Sequence, residues 1–472
     1  MSHRRLYNGI LGIALTIAVL TVTLAVNSSA AFAEEDFSSW LIGLKQEALA
    51  AGISDKTASV TIDHIALLPN IIQLDHAQPE FISPFLYYYF KRVNAAKIAQ
   101  GRHLLIEHAT ALNKIEAQYG VPKSIIVAFW GMETNYGRDP GRIDTLSALA
   151  TLAYDGRRAK FFRSQLLDAM RMIEAGNSHV GQLQGSWAGA FGHMQFMPST
   201  FMRYAVDGDA DKRIDIVNSV DDAFASAANY LSQVGWRSGE PAMIEVQLPE
   251  NFQWQNAQLT LRKSVEEWAN LGVTALQASK PTENDLLAQD ASHTHKHTGK
   301  KATKIRHIKV SHLQNVAHTS GKAAMLNKVF FNTEPISVAL SNTKLKHVGG
   351  QAAIILPQGW RGPALMVFDN FDAIMDWNRS INYALSVAQL AQQLNQSPPI
   401  LGGQSAENGA LTFQKIFELQ TALNNKGFDA GEPDGFPGLQ TQAAIRAYQQ
   451  SQQLPADGYA SPSLFNALKA TP

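Results

Sequence analysis

The sequence predicts a mainly α-helical protein with a small inserted β subdomain and a separate three-helix module at its C-terminal end. Three observations carry this prediction. Apolar residues recur at helical spacing through most of residues 37–245. Short alternating runs replace that pattern between about residues 240 and 368. A stretch rich in Pro, Gly and Ser at 396–411 then separates off three amphipathic segments within 412–472.

Length and composition set the frame. A chain of 472 residues exceeds one hydrophobic core and suggests about three domains. Hydrophobic residues make up 45% and charged residues 17%, an ordinary globular balance. Lys+Arg and Asp+Glu are equal at 40 each, so net charge gives no argument for a nucleic-acid partner, and none is expected.

At the N-terminus, Arg4 and Arg5 precede an apolar run over 10–26, and Ala31-Phe32-Ala33 comes just before Glu34, Glu35 and Asp36. That order predicts a cleaved signal peptide over residues 1–33 and export to the periplasm. A membrane partner is expected only if the segment stays uncleaved. The chain has no cysteine, so it has no disulfides and no site for N-terminal lipidation.

The element order follows from the pattern. Helices are expected over 37–51, 95–119 and 160–175. Val121-Pro122 marks the start of a strongly apolar helix through 124–132, and the Ala-rich 222–234 suits a tightly packed one. Strands are expected at 243–248, 258–261, 353–356 and 364–368. Between them, residues 279–346 hold six histidines among many Lys, Thr and Ser, and read as a disordered insertion. A helix resumes at 382–394, and the final module has helices at 413–426, 440–450 and 461–468.

Two windows carry candidate chemistry. In Gly131-Met132-Glu133-Thr134-Asn135-Tyr136-Gly137, Glu133 ends an almost wholly apolar helix. Apolar surroundings disfavour the charged form of a carboxyl group, which suits a general acid near neutral pH. The second window, Gly185-Ser186-Trp187-Ala188-Gly189-Ala190-Phe191-Gly192-His193-Met194-Gln195-Phe196-Met197-Pro198-Ser199-Thr200, mixes glycines, aromatics and amides. Glycines admit close backbone approach, aromatic faces stack on sugars, and Ser or Gln can bond acetamido groups. The alternative is a glycine-rich loop whose aromatics belong to the core.

Together these windows resemble the lytic murein transglycosylase B family, glycoside hydrolase family 103. Gly120-Val121-Pro122 leading into Glu133-Thr134 is similar to its catalytic segment. Residues 146–154 with Arg157-Arg158 are similar to its next helix, and Asp369-Asn370-Phe371, Trp377-Asn378-Arg379-Ser380 and Tyr383 to its closing motif. The resemblance spans most of 37–278 and 350–395. It implies a lysozyme-like helical catalytic region over 34–395 that acts on peptidoglycan glycan strands. Glu133 is the implied single acid/base. Ser186, Gln195, Tyr230, Asn378, Tyr383 and Tyr88 are the implied substrate contacts, and Trp377 stands where some members have tyrosine.

The implied reaction cuts between N-acetylmuramic acid and N-acetylglucosamine and closes a 1,6-anhydro ring. Ordinary glycosidases use two carboxylates; the nearest here in sequence are Asp139 and Asp144, which suit turns and helix caps. A hydrolytic muramidase and a non-catalytic wall-binding scaffold are the alternatives. No cofactor is required.

Asp207, Asp209, Asp211, Arg213 (through its carbonyl) and Asp215 have the spacing of a calcium loop, although Lys212 takes the usual glycine position and Asn218 the usual Glu. A structural calcium ion is thus a candidate. Residues 412–472 resemble a peptidoglycan-binding domain of the three-helix type, carried by Leu419-Gln420, Gly427-Phe428, Asp434-Gly435, Thr441, Tyr448-Gln449 and Asp457-Gly458. Such a module raises local substrate concentration. Nothing in the sequence points to a protein partner.

Overall fold

The computed structural model describes residues 36–77, 83–278, 340–343, 345, 350–407 and 409–470. The expected signal peptide lies outside the described residues, as does nearly all of the expected insertion. Among the described residues no helix is long and apolar enough to cross a membrane. The chain divides into two compact units.

The first unit holds residues 36–76 and 141–203. Its helices are α1 (Phe37–Ala50), α2 (Asp55–His64) and α3 (Pro69–Ala77). After the intervening chain come α8 (Thr145–Tyr154) and α9 (Ala159–Glu174). Side-chain oxygens set the starts, with Asp36 capping α1, Ser54 α2 and Asp144 α8. Trp40, Leu44, Leu146, Leu149, Phe162 and Leu166 form its core. Asp75, only 1% exposed, accepts from Arg157 Nε at 2.7 Å and Arg158 Nη2 at 2.6 Å. The Arg157-Arg158 pair therefore has a structural task here. Asp144 also bonds His64 at 2.9 Å.

The second unit holds residues 77–140 and 204–470. Helices α4 (Phe85–Arg92), α5 (Ala95–Glu107), α6 (Ala109–Tyr119) and α7 (Lys123–Thr134) precede α11 (Val220–Gln233) in this unit; α10 (Pro198–Tyr204), just before α11 in the chain, closes the first unit. The single helix expected over 95–119 breaks at His108, whose ring packs edge-on against Trp130 and Phe224. That tertiary contact overrides a continuous apolar pattern, which cannot show a bend.

Six strands form one sheet in the order β4-β7-β8-β3-β5-β6. They are β3 (Met243–Gln247), β4 (Arg262–Ser264), β5 (Thr274–Ala278), β6 (Leu340–Thr343), β7 (Gln351–Ile355) and β8 (Ala364–Val367). The pairings are antiparallel, with Met243 opposite Val367 and Ile354 opposite Met366. Trp268, from α12 (Val265–Asn270), is fully buried beneath the sheet and donates to the Ala352 carbonyl at 2.8 Å.

Two expectations change here. Residues 258–261 form a turn, closed by Leu261 N–H to Gln258 O, and the strand starts at Arg262; Leu261 still packs on the core, which produced the alternating signal. The range 279–346 runs too far at its C-terminal end. Leu340–Thr343 pairs with β5, because ladder bonds use backbone groups and do not require apolar composition.

Helices α13 (Asp369–Trp377) and α14 (Ile381–Leu394) follow the sheet. The last three, α15 (Phe413–Asn425), α16 (Leu439–Ser451) and α17 (Pro462–Ala470), pack around Leu419, Leu423, Ile445, Tyr448 and Leu468. Buried Gln420 ties their turns: its Oε1 accepts the Asp434 and Gly435 N–H groups, and its Nε2 donates to Thr441 Oγ1 at 2.9 Å.

Candidate active site

Helix α7 is built to present one carboxyl group. Every residue from Ser124 to Thr134 is buried except Glu133, which is half-buried. The helix ends immediately after it, because Asn135, Tyr136 and Gly137 take φ of +51°, +62° and +76°. This left-handed run is a common way to stop a helix, and it leaves Glu133 on the last turn.

Two donors converge on Glu133 Oε1. Trp377 Nε1–H reaches it at 2.9 Å from the end of α13, and the Tyr383 hydroxyl donates to it from the first turn of α14. The six-residue step between those two side chains spans the break between the helices, whose second member is capped by Ser380. Phe129 lies beneath both rings, 4.4 Å from Trp377 and 6.3 Å from Tyr383 between centroids. Tyr230 meets Trp377 edge-on at 5.0 Å and Tyr204 at 4.7 Å. Burial, then the negative charge of Glu133 and its hydrogen bond, push the Tyr383 hydroxyl well above its ordinary pKa. It therefore stays a donor at any physiological pH. Tyr88 and Arg92 of α4 stand close enough to Tyr383 to act on it electrostatically. Tyr88 is buried, with Arg92 5.7 Å from its ring centre.

The structure thus brings Glu133, Tyr383, Tyr230 and Tyr88 into one aromatic cluster. Asn378 follows Trp377 directly, and its Oδ1 accepts the Ser380 N–H at 3.0 Å. The sequence placed Trp377 only where some family members have tyrosine and did not reveal it as a donor to Glu133. The available signal was its spacing from Tyr383 across a predicted helix start.

Ser186 and Gln195 belong to the first unit. There β1 (Ile143–Asp144) pairs with β2 (Gln184–Gly185), and the following loop folds on itself through bridges Gly185–Phe191 and Phe191–Phe196. Ser186 N–H donates to Ala190 O at 2.7 Å, and Ser186 Oγ accepts the Ala190 N–H at 3.1 Å. A Cβ at Gly185 would lie 1.9 Å from the Ala190 carbonyl oxygen, so only glycine permits this turn. Gln195 takes φ +49° and donates to the Gly192 carbonyl at 3.1 Å. Phe191 and Phe196 are 1% and 2% exposed. These two are core residues and hold the loop's shape, while Trp187 of the same window is only partly buried.

Asp139 and Asp144 have structural tasks. Asp139 accepts from Asn135 Nδ2 at 3.0 Å, and Asp144 caps α8. In the acidic loop, carboxylate oxygens of Asp207, Asp209 and Asp211 lie within 4.8 Å of one another. Asp215 is not part of that group: it accepts the N–H groups of Val217 and Asn218 and the Asn218 side chain. The loop is organised by Asp222, 1% exposed, which accepts the N–H groups of Gly208 at 2.7 Å and Asp215 at 2.7 Å. Burial pushes the Asp222 carboxyl above the usual carboxylate range. Lys212 adopts φ +72°, so the left-handed turn forms without the expected glycine.

The transglycosylase SLT domain family matches residues 36–317 and 331–392, and a peptidoglycan binding domain family matches 414–468. The membrane-bound lytic murein transglycosylase B of Escherichia coli K12 is 34% identical over 199 residues, which is 41% of this chain and 53% of that protein. The chain thus matches about half the length of that curated relative. The structure of SltB3 from Pseudomonas aeruginosa in complex with NAG-NAM-pentapeptide superposes with a TM-score of 0.75 at 34% identity, covering 92% of this chain and 100% of that one. SltB1 from the same organism, at 24% identity and a TM-score of 0.55 over 76% of this chain and 98% of its own, shares the fold. On the breadth of the family match, which takes in most of its residues, the chain belongs to the transglycosylase SLT domain family, and residues 414–468 match the peptidoglycan binding domain family.

Proposed function

We propose that this protein cleaves the β-1,4 bond between N-acetylmuramic acid and N-acetylglucosamine, with Glu133 as the only general acid/base, and leaves a 1,6-anhydromuramyl end. One observation carries the reading: a half-buried carboxyl on a buried helix end receives the Trp377 N–H and the Tyr383 O–H at a single oxygen. Donors so placed stabilise the carboxylate that develops as Glu133 protonates the glycosidic oxygen.

The oxocarbenium-like centre that forms is assisted by the substrate's own acetamido group. The Glu133 carboxylate then removes the proton of the muramyl C6 hydroxyl, and that oxygen closes onto C1. A tethered nucleophile is already oriented, so no second carboxylate is needed. The structural occupation of Asp139 and Asp144 supports this economy. So does a relative, SltB3, whose structure was solved with NAG-anhNAM-pentapeptide. In this reading Ser186, Gln195, Tyr230, Asn378, Tyr383 and Tyr88 contact the sugars. The leader over 1–33 sends the catalytic region (34–395), linker (396–411) and wall-binding module (412–472) to the periplasm.

The test is digestion of purified sacculi by the full chain, with fragments read by mass spectrometry. Anhydro ends are expected. Reducing ends would make it a hydrolytic muramidase, and binding without turnover would leave a scaffold. Glu133→Gln should abolish cleavage with the fold intact; an active variant rejects the assignment.

We further propose that Asp207, Asp209 and Asp211, with the Arg213 carbonyl, hold a calcium ion. Their mutual proximity and the buried Asp222 beneath them support this. The ion would be structural and take no part in bond cleavage. A ligand at about a hundred times its Kd stabilises a fold by roughly 2.7 kcal/mol, so millimolar calcium should raise Tm by several degrees in the wild type and not in Asp209→Asn. An unchanged wild-type Tm removes the ion from the account.

A further inference from the structure

Lys97 sits in the first turn of α5, where Asn94 caps the helix by accepting its N–H at 3.0 Å. Its side chain crosses to the end of α7, and the ammonium donates to the Gly131 carbonyl. That carbonyl is two residues before Glu133. In a continuing helix it would accept from Asn135. Here the N–H groups of Asn135 and Tyr136 both go to the Trp130 carbonyl instead. The left-handed stop that exposes Glu133 therefore withdraws the ordinary donor from Gly131, and Lys97 supplies another.

The contact is a two-way clamp. Tyr136 OH donates to the Lys97 carbonyl at 2.8 Å, and the Lys97 ammonium stands 5.7 Å from the Tyr136 ring centre. Two glycines make the slot for that ring: a Cβ on Gly131 would meet it at 2.7 Å, and one on Gly101 would meet its hydroxyl at 2.4 Å. Lys97 is half-buried in this pocket. Burial and the charge of Arg92 push its pKa down to about 8, with Asp139 opposing.

We propose that Lys97 is a positioning residue for Glu133: by bonding the Gly131 carbonyl and backing Tyr136, it sets the turn that aims the carboxyl group. A side chain placed this way does not touch substrate, so its loss should appear in turnover rather than binding. The inference rests on the assignment of Glu133 above, and the experiment separates the two. Glu133→Gln, Lys97→Met and Lys97→Arg are compared on soluble uncross-linked glycan strands, with circular dichroism and Tm as fold controls. Met keeps the apolar stem and removes the donor; Arg restores a donor and the charge.

Lys97→Met should lower kcat on the order of tenfold, as small misplacements of catalytic groups do, with KM within twofold. Lys97→Arg should recover most of the loss. If Lys97→Met keeps kcat within twofold of the wild type, or Lys97→Arg is as impaired as Lys97→Met, the positioning role is overturned. A fully active Glu133→Gln would instead overturn the catalytic assignment itself.

Discussion

Replacing Tyr383 by Phe removes a single hydroxyl from the site and little else. The ring is 2% exposed and its packing partner Phe129 is fully buried, so Phe keeps the same volume in the same place. What goes is the O–H donor to Glu133 Oε1. A hydrogen bond to a charged group contributes about 1.5–3 kcal/mol. Water does not replace it at a buried position, but Trp377 continues to donate to the same oxygen. The lower half of that range is therefore expected, a fall in kcat of about 10–50-fold at roughly 1.4 kcal/mol per factor of ten.

The loss should fall on kcat because the bond strengthens as Glu133 gives up its proton, a change that follows substrate binding. Initial rates of anhydro-muropeptide release over a range of glycan concentrations separate kcat from KM, and Tm should stay within a few degrees. Trp377→Phe should produce a similar loss, and the double variant should not multiply the two, since both donors share one oxygen. A folded Tyr383→Phe whose kcat is within twofold of the wild type refutes the reasoning, because the donor would then have no role in the proton transfer.

Two further outcomes follow from the packing. Asp75→Asn should destabilise the first unit by about 2–3 kcal/mol in urea, less than a fully buried pair because both guanidinium groups keep some solvent. Burial raises the Asp75 carboxyl but the bonds from Arg157 and Arg158 outweigh it, so its folded pKa is depressed. Its stabilisation is therefore present above the unfolded pKa and lost as pH falls through the folded one. The gap between wild type and variant should narrow at pH values near 3. In the C-terminal module, Gln420→Ala leaves the Asp434 and Gly435 N–H groups without their acceptor. That should cost about 2–3 kcal/mol, seen as lost amide-exchange protection over 434–441 while α7 keeps its own.

Much of the helical framework was legible in the chain because burial leaves a local trace. The apolar periodicity of α1, α7, α9 and α14 placed them to within a residue or two, and Glu133 stood out as the one charged side chain closing an apolar helix. Glycine positions such as Gly185 were visible too, since a backbone approach that excludes a Cβ leaves no other residue to choose.

Tertiary structure alone decided what the local code cannot carry. Nothing near position 133 says that donors 244 and 250 residues away meet its Oε1. Nothing near 97 says that its ammonium reaches the Gly131 carbonyl. The break at His108 depends on Trp130 and Phe224, both distant in sequence. Periodicity records which face of an element is buried; it holds no information on what that face meets. The residue types of the chemistry were thus set by the sequence, while the direction in which each points, and which oxygen or carbonyl it serves, came from the packing of helices against one another.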